Sequence, residues 1–177
     1  MRVGNTDYLY SSSFFSVEVD TSIIVNKILE DKELQKLLYY NTKDCLSLPE
    51  LNQEERYSLI GDQVRIVPKI DFNDEVKSHL IISFESFSEN STNPQYRDNM
   101  ITIDILSHFD IWDLGDFKLR PYRIAARVDS RLNKQKLSGI GKVLFAGANP
   151  INISENLGGL SLSNYVIHED DYKQEVE

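Results

Sequence analysis

The sequence predicts an α+β fold, with a mainly antiparallel sheet and two principal helices packed on one face. Three observations indicate this class. Apolar and polar residues alternate over several stretches of strand length, these stretches follow one another along the chain, and only two longer stretches have a helical period. Consecutive strands that helices rarely interrupt are typical of α+β proteins, whereas regular alternation of strands and helices would indicate a parallel sheet.

The first helix is predicted over about residues 21–40. Asp20 and Thr21 are suited to its start, and the apolar residues that follow recur at roughly helical spacing. These apolar positions are Ile24, Ile28, Leu34 and Leu38. We expect a kink near Asp31. A short second helix is predicted in LNQEERYSL, which ends before Gly61.

Three strands are predicted after these helices. VRIVPKI (64–70) contains a proline, which indicates an edge strand or a bulge. HLIISFESF (79–87) and the alternating residues 101–109 are expected to form a long antiparallel hairpin, joined by a polar loop at residues 90–99. An aromatic and Asp-rich loop at residues 109–118 follows the hairpin.

An arginine-rich helix comes next, and Pro121 lies in its first turn, where the missing amide hydrogen costs nothing. Its predicted buried stripe consists of Ile124, Val128 and Leu132. The chain then turns at Gly139 and Gly141 into the strand KVLFAGA (142–148). The last strand pair is predicted at residues 151–153 and 159–168, with a β-bulge near Asn164.

The chain of 177 residues is expected to hold one folded domain over residues 20–168. Residues 1–19 are expected to be an N-terminal arm or an edge strand, and residues 169–177 an acidic C-terminal tail. Cys45 is the only cysteine, which fits a reducing compartment. Neither a secretory signal nor an apolar run of membrane-spanning length is present, so we expect no membrane association.

Charge is distributed unevenly along the chain. From Lys118 to Lys142 there are 8 of the 19 Lys and Arg residues and one acid, Asp129, which gives this segment a charge of +7. The other 11 cations and 27 acids sum to −16. Such an asymmetry favours contacts with charged partners in a defined orientation. The net charge of −9 argues against nucleic acid as the main partner.

The arginines of the last helix are the candidate interaction site. They lie within an arc of roughly 80° beside the apolar stripe, and Asp129 falls off this arc. The lack of nearby acids predicts an acidic partner, either in another molecule or elsewhere in this chain, with a solvated helix face as the alternative. The candidate partner or subunit interface consists of Arg120, Arg123, Arg127, Arg131, Lys134, Lys136 and Trp112.

No catalytic, cofactor or metal site is expected. Asp104, His108 and Asp110 share a strand face, but positions two apart are separated by roughly 7 Å, which favours an exposed sheet face over a shared ion. Gly139 to Lys142 resembles a fragment of a phosphate loop, but the lysine enters a strand and a turn is favoured. Since no nucleophile and base form a coherent set, we expect no enzymatic activity.

The order of elements from Asp20 to His168 resembles the tail-terminator, or tail-completion, proteins of tailed bacteriophages. The matching pieces are TSIIVNKILEDKELQKLL, HLIISFESFSENSTNPQYRDNMITIDILSHFD, LRPYRIAARVDSRLN, and GIGKVLFAGANPI with ENLGGLSLSNYVIHE. DLGDFKLRPYRIAARVDSRL also resembles structural proteins of phages that infect low-GC Gram-positive bacteria. The resemblance is one of pattern, and residues 1–19 lie outside it.

This resemblance implies a structural virion protein of the phage neck, without catalytic residues or cofactors. It implies a ring, typically a hexamer, that is assembled in the host cytoplasm, caps the tail tube and joins it to the head-completion complex. The implied partners are further copies of the chain, the tail-tube protein and the head-completion protein, with the sheath as a further candidate. The alternatives are another neck or tail component, such as a head-completion or baseplate protein, or a nucleic-acid-binding module that uses the arginine-rich helix.

Overall fold

The computed structural model describes residues 13–66, 75–89, 96–137 and 141–169. Within these ranges the chain forms four α-helices and six strands. The helices are α1 (Ser13–Ile28), α2 (Lys32–Tyr39), α3 (Gln53–Ser58) and α4 (Arg120–Leu132). The strands are β1 (Val64–Arg65), β2 (Ser78–Glu89), β3 (Tyr96–His108), β4 (Lys136–Leu137), β5 (Gly141–Asn152) and β6 (Leu157–Glu169).

The six strands form one mixed sheet in the order β1–β2–β3–β6–β5–β4. Only the pairing of β1 with β2 is parallel among these strands. The central pair, β3 and β6, stays in register without a shift from Tyr96 opposite Glu169 to His108 opposite Leu157. The predicted α+β class with a mainly antiparallel sheet is therefore confirmed.

Helices α1, α2 and α4 pack together over one face of the sheet. Alternate residues of β3, which are Ile101, Ile103 and Ile105, are fully buried under them. The predicted stripe of α4 is also buried, since Ile124, Val128 and Leu132 belong to the same core. None of the helices in the described ranges is long and apolar enough to cross a membrane.

The helix predicted over residues 21–40 is instead two helices that meet at Asp31. Asp31 has an extended backbone, and its carboxylate accepts a hydrogen bond from the Leu34 amide at 2.9 Å, so it caps the start of α2. The predicted edge strand is wrong for residues 13–19, which form the first turns of α1. Asp20 and Ile24 are both buried, one turn apart, so the buried face of α1 includes Asp20 rather than starting after it. Residues 1–12 lie outside the described residues.

The strands predicted at residues 142–148 and 151–153 are one continuous strand, β5. Pro150 fits within it because β4 pairs only with the first two residues of β5, and the rest of that edge has no partner among the described strands. The predicted bulge at Asn164 is in the partner strand, between Phe145 and Gly147 of β5. The alternation of β6 does not slip, since Asn164 is buried as the next inward residue.

The predicted hairpin is confirmed, with strands β2 and β3 longer than expected, and residues 90–95 between them lie outside the described residues. The short second helix is also confirmed as α3, before Gly61. Strand β1 lies at the sheet edge, as predicted for residues 64–70, but it covers only Val64 and Arg65. Residues 67–70 are not among those described.

Candidate functional site

The arginines of α4 extend along α2 and reach both of its ends. Arg120, at the start of α4, contacts the end of α2, whereas Arg131, near the end of α4, contacts Asp31 at the start of α2. The two helices therefore run antiparallel. We call this set of contacts the arginine clamp, formed by Arg120, Arg123, Arg127 and Arg131.

At the start of α2, the arginine clamp binds the carboxylate of Asp31, which is fully buried. Oδ2 of Asp31 accepts hydrogen bonds from Nε of Arg127 at 3.0 Å and from Nε of Arg131 at 3.0 Å, and Nη2 of Arg127 also contacts it. Burial raises the pKa of Asp31, but the hydrogen bonds from Arg127, the Leu34 amide and Arg131 outweigh it and hold the pKa below its ordinary value. Arg123 pairs with the neighbouring Glu33.

At the end of α2, Arg120 of the arginine clamp binds backbone carbonyl groups. Arg120 is fully buried, and no carboxylate pairs with it among the described residues. Its guanidinium donates to four carbonyl oxygens, those of Leu37 (2.6 Å), Tyr40 (2.8 Å), Thr42 (2.6 Å) and Ile111 (2.8 Å). The last carbonyls of a helix lack partners within it and carry its negative dipole end, so a buried cation is favourable there. Burial lowers the pKa of Arg120, which still leaves it charged at neutral pH.

This geometry changes the predicted interface. Arg120 is wrong as an interface residue, because its side chain is turned inward and fully buried. Arg123, Arg127 and Arg131 are partly exposed, but each pairs with an acid of the same chain, so the acidic partner expected for the stripe lies within the molecule. The signal in the sequence was the pair Asp31 and Glu33 at the predicted kink.

Lys134 and Lys136 remain exposed, as the predicted interface requires, and the structure adds Lys142 to them. We call these three residues the lysine cluster. Lys136 and Lys142 lie directly opposite each other on β4 and β5. None of the three forms an ion pair with a described residue. Whether they contact a partner stays a prediction.

Trp112, the last predicted interface residue, lines an apolar depression of about 260 Å³. We call it the aromatic groove, and its side chains include Phe109, Trp112, Pro121, Tyr122, Pro150 and Leu160. The indole Nε1 of Trp112 donates to the Ser107 carbonyl at 2.9 Å, and its ring packs 4.9 Å from that of Phe109. Both polar and apolar parts of Trp112 are thus held in place, and the groove offers apolar surface to another molecule.

The polar residues considered as possible metal ligands form hydrogen bonds with neighbouring groups of the chain. The carboxylate of Asp104 accepts a hydrogen bond from Ser161 at 2.6 Å, and Nδ1 of His108 accepts one from the Asp110 amide at 3.2 Å. In the described ranges no three His, Cys, Asp or Glu residues are grouped as metal ligands. Cys45 is fully buried, and burial raises the pKa of its thiol.

The profile of the YomW family matches residues 31–164, which is more than half of the chain. The matched segment begins at Asp31 and includes all of α2, α4 and the aromatic groove. No curated protein sequence matches the chain. YomW is a phage-derived family. The chain therefore belongs to the YomW family and is a phage-associated protein.

Proposed function

We propose that this protein is a structural component of the neck of a tailed phage, a tail terminator that caps the tail tube and joins it to the head-completion complex. The observation that carries the proposal is the order of elements in a chain of a phage-derived family. That order is an initial helical part, the hairpin of β2 and β3, the single helix α4, and the final pair of β5 and β6. It is the order in which the sequence resembles tail terminators.

The proposed assembly is a ring, with a hexamer as the expected size. In a ring, one patch of each subunit meets a different patch of the next subunit. The aromatic groove supplies apolar surface for such a contact, and the lysine cluster supplies positive charge on a chain whose net charge is −9. Acidic surface of the neighbouring copy would complement the lysine cluster.

In this proposed role the protein acts by assembling with other virion proteins, and it needs no enzymatic activity, cofactor or membrane partner. Its partners would be the tail-tube protein, the head-completion protein and, in a contractile tail, the sheath. It would assemble in the host cytoplasm and remain in the virion. A nucleic-acid-binding module is less well supported, because the arginines of α4 are engaged by Asp31, Glu33 and backbone carbonyls.

The direct test is mass photometry and negative-stain imaging of the purified chain, alone and with tail-tube protein. We expect a ring with a central hole that binds one end of the tube. A chain that stays monomeric in the presence of the tube would contradict the proposal. Binding to the head-completion ring without binding to the tube would place the protein elsewhere in the neck.

A matched pair of tyrosines tests the aromatic groove as a contact surface. Tyr122 lines the groove and is 55% exposed, whereas Tyr57 on α3 is 59% exposed and lies outside the groove. Tyr122→Glu places a charge in the contact and is expected to abolish the ring while leaving the circular dichroism spectrum unchanged. Tyr57→Glu is the control and is expected to assemble normally. If Tyr122→Glu assembles as well as the control, the groove is not a contact.

A further inference from the structure

We propose that Phe117 of one copy of the chain inserts its ring into the aromatic groove of the next copy. The inference deepens the proposed ring by naming the occupant of the groove, and it rests on the self-assembly of the chain. Phe117 belongs to a short loop, residues 113–119, that is closed by a bridge between its two end residues. We call it the Phe117 loop. Its strained backbone, its rigid attachment and its position relative to the groove carry the proposal.

The Phe117 loop holds an aromatic ring in water at an energetic cost. The Phe117 side chain is fully exposed, more so than any other large apolar side chain in the described ranges. Its φ is +60°, and the two residues before it, Gly115 and Asp116, have φ values of +83° and +50°. Residues other than glycine are disfavoured in this left-handed region, so Asp116 and Phe117 are both strained. Strained residues cluster at ligand-binding elements, which favours a binding role for the exposed ring.

Hydrogen bonds and an ion pair hold the Phe117 loop in one conformation. The Leu114 amide donates to the Lys118 carbonyl and the Lys118 amide donates to the Gly115 carbonyl, both at 2.9 Å. The Asp113 carboxylate accepts a hydrogen bond from the Gly115 amide at 2.7 Å and pairs with Lys43 at 2.6 Å. Because the loop is already ordered, insertion of its ring into a partner costs little conformational entropy.

The Phe117 loop and the aromatic groove lie on opposite sides of the start of α4. Lys43, which pairs with the loop, follows α2, and α2 contacts β2. The groove is instead lined by Pro150 and Ile151 of β5. In the sheet, β2 and β5 flank the central pair of β3 and β6 on opposite sides. A loop on one side that enters a groove on the other side joins successive copies head to tail, as a ring requires.

The aromatic groove has the size and the chemistry to hold one aromatic ring. Its volume is about 260 Å³. An apolar protein cavity of about 150 Å³ is large enough to bind benzene. The rings of Phe109, Trp112 and Tyr122 line the groove, and aromatic rings attract one another in edge-to-face and offset arrangements. A side chain that fills such a pocket at the centre of an interface contributes a large part of the affinity.

Charges beside the inserted ring and beside the groove are of opposite sign. Lys118 directly follows Phe117 in the loop. Asp110 directly follows Phe109 at the groove. Both charged side chains are exposed, and their ion-pair contacts within the described part of the chain are long, 3.6 Å for Lys118 and 3.5 Å for Asp110. A second copy brings Lys118 towards Asp110 without breaking a tight ion pair, which favours this chain as the occupant of the groove.

Photo-cross-linking from position 117 tests the contact on the full chain. The photoreactive aromatic residue p-benzoylphenylalanine is incorporated there in isotopically light protein, which is mixed with heavy unmodified protein. We expect cross-links to heavy peptides that contain Tyr122 or Ile151 of the groove. The control carries the photoreactive residue in place of Tyr57, which is 59% exposed and lies outside the groove, and it should give no cross-links to these peptides.

The outcomes for this contact and for the proposed function can be told apart. A ring that forms without cross-links from position 117 to the groove overturns the inference and leaves the ring intact, as do cross-links to tail-tube protein alone. Cross-links to the groove in copies that neither close into a ring nor bind the tube support the inference and contradict the tail terminator. A chain that stays monomeric, alone and with the tube, overturns both.

Two glycine substitutions separate the apolar contact from the conformation of the loop. Phe117→Gly and Asp116→Gly each remove one strained residue, so both should raise the urea midpoint of the free subunit. Phe117→Gly also removes the ring, and we expect it to weaken self-association by about 30-fold or more, the lower limit for a hot-spot residue. Asp116→Gly should assemble like the unmodified chain. Equal self-association of the two variants in sedimentation would overturn the inference.

Discussion

The buried carboxylate of Asp31 accepts a hydrogen bond from the guanidinium of Arg127, 96 residues later in the chain, with Nε and Oδ2 3.0 Å apart. The other carboxylate oxygen caps α2 through the Leu34 amide. Asp31 thus caps the start of α2 and also joins α2 to α4, and α4 packs against the sheet. This one residue links local structure to the packing of the helical layer.

Asp31→Ala should be one of the most destabilising single changes in the described part of the chain. It removes the cap, which contributes about 1 kcal/mol, and removes the buried carboxylate that Arg127 and Arg131 share. Both arginines are partly exposed and Arg127 keeps Glu33, so this second loss should be smaller than the loss of about 3–5 kcal/mol for a charge left unpaired in the interior. Asp31→Asn keeps a capping oxygen and should lose only the ionic part. Urea unfolding at pH 7 measures both variants.

The control for this prediction is Glu33→Gln, which affects the partly exposed pair with Arg123. We expect a much smaller change in the free energy of unfolding for this variant, since exposed pairs contribute little. Equal effects of Asp31→Ala and Glu33→Gln would show that the buried carboxylate has no special role.

The shifted pKa of Asp31 predicts how stability depends on pH. Its pKa is lower in the folded chain than in the unfolded chain, where it is about 3.9. The unfolded state therefore binds more protons between the two values, so the stabilisation is present above pH 4 and is lost as the pH falls through the folded pKa. Asp31→Asn should flatten the acid limb of a plot of unfolding free energy against pH. An unchanged acid limb would contradict the assignment.

The sequence predicted the parts of the fold that rest on local periodicity. The alternation around Ile103 and the four-residue spacing around Val128 each identified a buried face correctly. Residues 13–19 were misassigned because alternation of apolar and polar residues over so few positions also fits a helix that is partly buried. The sequence predicted two strands where β5 is one, because proline usually interrupts a strand. Pro150 is tolerated because its part of β5 lies at the sheet edge, and the position of a strand within the sheet cannot be read from local sequence.

The candidate site was harder to predict than the fold. The spacing of the arginines indicated one helix face and an acidic partner, but the partner lies 96 residues earlier for Arg127. Periodicity contains no information on such contacts. For Arg120 the prediction also missed the type of partner. Every residue has a backbone carbonyl, so no residue type in the sequence indicates which carbonyls an arginine will bind.

Arg120→Met should weaken the packing of the end of α2 against the start of α4. The change removes the guanidinium donor from two buried carbonyl groups, those of Leu37 and Ile111, and each unsatisfied buried group costs about 1–3 kcal/mol. The carbonyls of Tyr40 and Thr42 are less buried, and that of Thr42 keeps the Cys45 amide as a donor. Arg120→Lys supplies up to three donors from one nitrogen and should give an intermediate loss. Cys45 is fully buried close to this guanidinium, so its reaction with a thiol reagent measures the weakened packing. A rate equal to that of the unmodified chain would contradict this role.

Lys134→Gly is expected to stabilise the chain by about 0.5–1 kcal/mol, because glycine adopts the left-handed region after a helix without the steric cost of a side chain. The matched change in the opposite direction is Gly61→Ala. Gly61 has a φ of +90° and no heavy atom that an added Cβ would meet, so only backbone strain acts there. Urea midpoints should move in opposite directions, and a loss of stability in Lys134→Gly would refute the assignment of strain.

Gly159→Ala and Gly147→Ala form a pair that tests the register of the central strands. A Cβ on Gly159 in β6 would overlap the Ile105 carbonyl oxygen of β3, so the two strands must separate locally. We expect a loss of about 3 kcal/mol or more for Gly159→Ala. An added Cβ on Gly147, in the bulge of β5, meets no heavy atom within 4 Å, so that variant should be neutral or slightly stabilised. Thermal unfolding followed by circular dichroism compares the two. Similar midpoints would mean that β3 and β6 do not approach each other at Gly159 as closely as their register requires.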